Sequence, residues 1–261
     1  CLRFIKEHIE FTRIKKNYRL LDSFDQQYFV FQHIYEFKKI ENFELTITSM
    51  GAWKQSNEIC KLVNNLNEEL VDGNLLCNDK NPKIVTVGEI LLYYNKLLID
   101  NNILDFSCIQ TEAYRLLKDN PNVLEKIYDK IKYIMVDEYQ DTNECQYILS
   151  KMLSNKYKNI FVVGDNDQAI YAFRGANYKN ILNFEKDYPN CKTILLEENY
   201  RSTKNILNAA NSVIKNNKLR KDKNLWSNND EGSLIKCVRT DNEKEEAGYV
   251  GREIKRLVSQ G

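Results

Sequence analysis

From about Leu104 onwards, short apolar runs alternate with amphipathic stretches, and this alternation constrains the fold more than any other feature of the sequence. Residues 133–136, 160–164, 193–196 and 234–238 read as strands, and 143–155, 178–188, 203–216 and 243–258 read as helices. Strands separated by helices predict a parallel sheet, because a parallel pair needs a crossover long enough to hold a helix. In such sheets, ligands sit outside the carboxyl ends of the strands. Three polar clusters stand in that position.

The first follows the run Tyr133, Ile134, Met135, Val136 and opens with two adjacent carboxylates, Asp137 and Glu138. Such a pair can place a divalent cation beside an activated water. Mg2+ takes one or two carboxylates plus phosphate oxygens, and a neighbouring Glu can orient and deprotonate the attacking water. An Asp-Glu pair alone fits a solvated strand end equally well; the whole string VDEYQDT is far more specific. The second cluster ends a strand in Gly164, Asp165, Asn166, Asp167 and Gln168, then adds Tyr171, Phe173 and Arg174. A neutral Gln both donates and accepts, which suits it to sensing a terminal phosphate and its attacking water. Two aromatics beside an Arg can grip single-stranded bases, although on their own they read as packed aromatics in a loop. The third cluster is Glu197, Glu198, Asn199, Tyr200, Arg201, Ser202 and Thr203, with Ser202 or Thr203 able to cap the next helix. An Arg there can reach a phosphate with two donors and an adjacent Tyr can stack on a purine. A surface Arg and a half-buried Tyr are the plain alternative.

In this order and spacing, the clusters resemble motifs II, III and IV of the UvrD/Rep/PcrA family of superfamily 1 DNA helicases. The matching strings are VDEYQDTN, VVGDNDQAIYAFRGA and LEENYRST, and the similarity continues through NILNFEKDYPN and KNILNAANSVI. The resemblance implies an α/β fold: part of a RecA-like P-loop NTPase parallel sheet, an inserted all-helical subdomain, and the start of a second RecA-like domain. Residues 1–20 would end a helix of the first RecA-like domain, and 21–103 would be the helical accessory subdomain 1B, which in this family lies against duplex DNA. Residues 104–190 would be the back half of the first RecA-like domain, and 191–261 the start of the second.

By the same resemblance, the cofactors are ATP and Mg2+. Asp137 would hold Mg2+, Glu138 would be the general base, and Gln168 would sense the γ-phosphate and couple nucleotide state to DNA grip. Tyr171 and Phe173 would contact single-stranded DNA, Phe173 replacing the Trp often found there, and Arg174 belongs to the same motif. Tyr200 would stack on the adenine and Arg201 would reach the γ-phosphate as an arginine finger. The implied activity is 3′-to-5′ translocation and unwinding, acting on single strands and on junctions of single- and double-stranded DNA, in the cytoplasm and without a membrane. A helicase–nuclease subunit of the AddA/RecB type shares these motifs, but the short connections between them favour the simple helicase. A catalytically silent DNA-binding relative is a rival from another class. Joint retention of Asp137, Glu138, Gln168 and Arg201 speaks against it.

The segment LDFSCI, residues 104–109, resembles the family's LDFDDL with Ser107 where an acid is usual. None of the nine glycines is followed by Lys, so a GxxxxGK[ST] loop is absent. In the family that loop lies upstream of a segment like CLRFIKEHIE, while motifs V and VI and subdomain 2B lie outside the stretch matched here. The expectation is an internal piece of a longer helicase, inactive by itself.

The first hundred residues read as helical. Ser23 with Gln26 fits a capping box, after which Phe24, Tyr28, Phe31 and Tyr35 share one face, read as core packing rather than a base-stacking platform. Ile59, Leu62, Val63, Leu66 and Leu70 form a second stripe, a third helix covers roughly 86–99, and 71–83 reads as a surface loop. Composition adds exclusions. With 38 Lys and Arg against 37 Asp and Glu, net charge gives no argument for nucleic acid. The basic group Lys215, Lys218, Arg220, Lys221 and Lys223 reads as a solvated helix end. The sequence has no apolar run of the about 18 residues that a membrane span needs. Seven cysteines lie singly, with no CxxC pair, and read as reduced thiols.

Overall fold

Two short parallel pairings organise the first 191 residues. The computed structural model describes residues 1–170, 175–177, 179–218 and 223–260. It separates into two units, Cys1–Cys191 and Lys192–Gly261. In the first unit, α1 (Leu2–Glu7) leads to β1 (Arg19–Leu20), which pairs with β2 (Ile103–Leu104), Arg19 opposite Ile103 and Leu20 opposite Leu104. The chain between these strands therefore leaves and returns at one place.

That excursion is helical: α2 (Ser23–Gln32), α3 (Ile34–Phe37), α4 (Phe43–Thr46), α5 (Ala52–Glu68), α6 (Gly73–Cys77) and α7 (Pro82–Asp100). The expected box of Ser23 and Gln26 does not form. Asp22 caps α2 instead, accepting from the Asp25 amide at 2.8 Å, and Gln26 turns into the core. Asn81 caps α7, accepting from the Lys83 amide at 3.0 Å, with Pro82 in the first turn where no amide is missed. The stretch 71–83 is not wholly loop, because α6 packs on α7 so closely that a Cβ on Gly88 would stand 2.8 Å from the Gly73 carbonyl oxygen.

The aromatic stripe faces the opposite way from its expected place. Phe24 and Tyr35 are 66% and 76% exposed, and Tyr28 and Phe31 are exposed with them. The buried side is Phe29, Val30, Ile34 and Phe37, in one core with Ile59, Val63, Ile90 and Tyr94. Both sets have helical spacing, so periodicity alone could not choose between them. The side carrying Phe29, Val30, Ile34 and Phe37 fills the core, while Phe24 and Phe31 lean on the exposed ring of Trp53 at 5.9 and 5.5 Å between centroids.

At the end of the excursion, Asp105 is almost fully buried and caps α8 (Phe106–Asp119). Its carboxylate accepts from the Cys108 amide at 2.7 Å, the Ser107 hydroxyl at 2.9 Å and the Gln26 amide at 3.0 Å, and Tyr94 donates to it as well. Asn64 ties the hub to α5, accepting from Gln26 at 2.8 Å and Ser107 at 3.0 Å. Ser107 thus supplies a neutral donor at a point where a second carboxylate would bury like charge beside Asp105.

The chain continues through α9 (Pro121–Lys130), β3 (Ile134–Val136), α10 (Glu144–Ser154), β4 (Ile160–Val162) and α11 (Lys179–Asp187). β3 and β4 are parallel, Ile134 opposite Ile160 and Val136 opposite Val162, with α10 as the crossover. Asn143 and Gln146 form a full capping box at the start of α10. Lys151 of α10 pairs with Asp187 of α11 at 2.8 Å, and Tyr147 also donates to Asp187. All seven cysteines are free thiols, and burial pushes Cys60 and Cys145 up to about 12.

In the second unit, α12 (Lys204–Ile214) follows Thr203, whose side chain makes no capping bond. Asn242 caps α13 (Glu243–Val258) through the Lys244 and Glu245 amides, with acids in the first turn and bases in the last, as the helix dipole favours. The strands expected at 193–196 and 234–238 are not formed, and Ile194, Leu196, Leu234 and Ile235 are exposed. A parallel strand needs a hydrogen-bonded neighbour and a covering layer. Among the described residues of this unit no strand ladder forms; a single parallel bridge joins Glu198 and Trp226. Among the described residues, no helix is long and apolar enough to cross a membrane.

Replacing Asp105 with Ala removes a cap and leaves several buried donors unmatched. The expected loss is about 2–4 kcal/mol, read as a fall in the urea midpoint. A second expectation concerns acid. Burial, the largest influence on Asp187, pushes its carboxyl up, but hydrogen bonds from Lys151 and Tyr147 outweigh it and hold it below the ordinary range. A carboxyl lowered by folding adds stability that is complete above its unfolded value near 4 and fades as pH falls through its folded value. Asp187→Asn should cost about 0.5–1 kcal/mol at pH 7, since the pair is partly exposed. The difference from the unaltered chain should shrink in unfolding curves taken below about pH 4.

Candidate active site

Strand pairing brings two of the three polar clusters together. The Val163 amide donates to Val136 and the Tyr139 amide donates to Val163, each at 2.9 Å, so the chain turns out of β3 and β4 at the same level. Asp137 stands exposed at the end of β3, and its Oδ1 accepts from the Glu138 amide at 2.9 Å. Glu138 has φ 49° and ψ 45°, a left-handed conformation costly for a residue with a Cβ. This reversal turns the chain at once into the helical turn Tyr139–Asp141, leaving the Glu138 side chain exposed.

Beneath that turn the side chains are buried. Tyr139 packs edge-on against Phe184 with ring centroids 5.6 Å apart, and burial pushes its phenol up to about 12. Gln140 is 1% exposed; its Nε2 donates to Glu138 Oε2 at 2.8 Å and its Oε1 accepts from the Asp165 amide at 2.9 Å. The turn Asn166–Gln168 follows, where Gln168 Nε2 donates to Asp165 Oδ2 at 2.9 Å. A continuous hydrogen-bonded path therefore runs from Glu138 through Gln140 and Asp165 to Gln168. Asn180 of α11 closes the back of the site, donating to the Thr142 carbonyl at 3.1 Å and its hydroxyl at 3.2 Å.

Among the described residues, no group of three or more His, Cys, Asp or Glu side chains could cage a metal. One exposed carboxylate at a strand end is the donor set of a cation shared with phosphate oxygens, as Mg2+ commonly is. Asp137 fits that use. Tyr171, Phe173 and Arg174, and with them Arg220 and Lys221 of the basic group, lie outside the described residues. Lys215 and Lys218 are exposed, Lys215 closing the end of α12.

The third cluster belongs to the second unit. Asn199 Oδ1 accepts from the amides of Arg201 at 3.0 Å and Ser202 at 2.8 Å, a local turn that fixes the backbone before α12. Asn229 Nδ2 holds the other side, donating to the carbonyls of Tyr200 at 3.3 Å and Ser202 at 3.1 Å. Tyr200 is exposed and donates to Glu198 Oε2 at 2.7 Å, which raises its phenol above the ordinary value. Arg201 is exposed, and its guanidinium makes no hydrogen bond or ion pair among the described residues. Asn180 was not among the residues named from the sequence, and Gln140 and Asn199 stood inside the quoted clusters without a role of their own. Asn199 was legible as an Asx turn before a helix, whereas nothing local marks Gln140 as the link between two strand ends.

Gly164 lets those ends approach. A Cβ there would stand 2.8 Å from both Gln140 Oε1 and Ile181 Cδ1, and 3.2 Å from the Tyr139 amide nitrogen. Gly164→Ala should therefore lower stability by about 1–3 kcal/mol through overpacking, measured as a shift in thermal or urea midpoint.

Residues 1–189 match the UvrD/REP helicase N-terminal domain, and residues 194–261 match the UvrD-like helicase C-terminal domain. The chain is 40% identical over 264 aligned residues to the ATP-dependent DNA helicase PcrA of Staphylococcus epidermidis, covering 100% of this chain and 35% of that protein. To the PcrA of Bacillus subtilis it is 41% identical over 268 residues, covering 100% of this chain and 34% of that protein. The chain thus spans about a third of the length of these curated relatives. With both domain matches in chain order and the strand-end carboxylates in place, the chain belongs to the UvrD/REP helicase family.

Proposed function

We propose that this chain carries part of the ATP-hydrolysing machinery of a DNA helicase that moves 3′ to 5′ along single strands and opens duplex at junctions. The observation that carries the reading is the linked set Asp137, Glu138, Gln140, Asp165 and Gln168 at the ends of two parallel strands. The names of the relatives, ATP-dependent DNA helicases, support the same substrates.

In this reading Asp137 holds Mg2+, which when bound neutralises phosphate charge. Glu138, exposed beside it, accepts a proton from the attacking water. Gln168 reports the γ-phosphate to the residues that follow it, Tyr171, Phe173 and Arg174, which grip single-stranded DNA. Tyr200 stacks on the adenine, and Arg201 meets the charge that develops on the γ-phosphate. Residues 21–103 act as an accessory subdomain inserted in the first RecA-like domain (residues 1–20 and 104–190), and 191–261 begin a second. The setting in this reading is the cytoplasm.

Hydrolysis by these 261 residues alone is not expected, because they hold no GxxxxGK[ST] loop to cradle the β- and γ-phosphates. The test compares this chain with a full-length protein in DNA-stimulated ATP turnover. The full-length protein should hydrolyse ATP, and Glu138→Gln should lower kcat by about 100-fold or more while nucleotide and DNA binding persist. Turnover by the 261-residue chain that Glu138→Gln abolishes, or full turnover by the full-length Glu138→Gln variant, would refute the assignment.

A further inference from the structure

We infer that Gln140 is the positioning residue that aims the Glu138 carboxylate and joins it mechanically to Gln168; the inference rests on the reading of Glu138 as general base. A primary amide has a donor end and an acceptor end. Here the donor end meets Glu138 Oε2 at 2.8 Å and the acceptor end meets the Asp165 amide at 2.9 Å. Turning the amide over would set N–H against N–H at Asp165 and oxygen against carboxylate at Glu138. With the side chain 1% exposed, water has no access to repair either mismatch. The orientation of Gln140 is therefore determined by its surroundings, and it determines where Glu138 points.

Glu138 needs such a hold. Its backbone is in the left-handed region and its side chain is exposed, so without a partner the carboxylate would sample several rotamers in water. A general base must lie within hydrogen-bond reach of the proton it takes, and small displacements are costly in rate. The same amide side chain anchors Asp165, whose Oδ2 accepts from Gln168 at 2.9 Å. A displacement of the turn Asn166–Gln168 is thus transmitted to Glu138 through one rigid planar group rather than through solvent. Gly164 leaves the space beside Gln140 Oε1 that a Cβ would fill.

Gln140→Glu separates the two ends. It keeps an acceptor for the Asp165 amide and replaces the donor facing Glu138 with a carboxylate oxygen. In a full-length protein, kcat for DNA-stimulated ATP hydrolysis should fall about tenfold or more, with KM for ATP within about twofold, read at a temperature where both proteins are folded, because a carboxylate buried against Glu138 also lowers the thermal midpoint. In a Glu138→Gln background the same change should cost less than about twofold, because there is no base left to aim; a residue serving only the fold would cost the same in both backgrounds. Should Gln140→Glu not fold, Gln140→Met, of similar volume and without either hydrogen bond, carries the same expectation for kcat and for the double variant. A Gln140→Glu kcat near that of the unaltered protein, or an equal loss in both backgrounds, overturns the inference alone. Absence of hydrolysis by the unaltered full-length protein overturns the helicase reading and this inference with it.

Discussion

Val163 donates its amide to Val136 and accepts from Tyr139, and those two bonds hold the ends of β3 and β4 level. Parallel strands in register project their carboxyl ends in one direction, so residues far apart in sequence emerge side by side. Asp137 and Glu138 leave one strand and Gly164 to Gln168 leave the other. Moving the register by one residue would turn the alternating side chains of β4 to the opposite face and separate Asp165 from Gln140. The juxtaposition of these residues therefore depends on a pairing only three residues long. That shortness explains why so much of the surrounding side-chain bonding, from Gln140, Asn180 and the Asn143–Gln146 box, serves to fix the turns after the strands.

The helical excursion is fastened by a different device. β1 and β2 bring its ends together, and Asp105 gathers donors from α2, α7 and α8 around one buried carboxylate. A buried charge without partners would be strongly destabilising, while one with several good donors specifies a single arrangement of the groups around it. Burial also pushes the Tyr94 phenol well above its ordinary range, so the ring remains a donor to Asp105. Ser107 adds to this hub without adding charge, giving a physical role to the departure from the LDFDDL pattern.

The legibility of the sequence was uneven, and the reasons are specific. Residues 133–136 and 160–164 were readable as strands because each apolar run ends in a polar turn and is followed by an amphipathic helix; they form β3 and β4 nearly as bounded. Residues 193–196 and 234–238 carry the same local signal, yet a strand is a pairwise structure, and no ladder forms at these runs among the described residues. Met135 and Phe161 make a related point. Their unbroken apolar runs suit a sheet covered on both faces, but each stands exposed. The aromatic stripe of α2 and α3 failed for another reason: two faces running along both helices were apolar at helical spacing, and only tertiary packing chose between them. At the site, Asp137, Glu138 and Gln168 could be picked out by chemical type and spacing. Gln140 could not, because its role consists of two contacts whose partners are known only once β3 and β4 are paired.

The second unit shows the same division of labour on a smaller scale. Arg201 and Tyr200 are exposed, and the group that sets their backbone is Asn199, a neutral amide whose oxygen accepts from two successive main-chain donors. At Glu138 the corresponding group is Gln140, again an amide. Neutral positioning groups have a physical advantage here. A Lys or Arg holding Glu138 would offset the charge of its carboxylate, and an Asp or Glu beside Arg201 would occupy the guanidinium. Gln140 orients the Glu138 side chain and Asn199 the backbone at Arg201, each through hydrogen bonds that leave the charge of its neighbour unpaired by an opposite one. The near balance of 38 basic and 37 acidic residues is compatible with this economy. Function at such a site depends on the placement of a few charges, and the groups that place them need carry none.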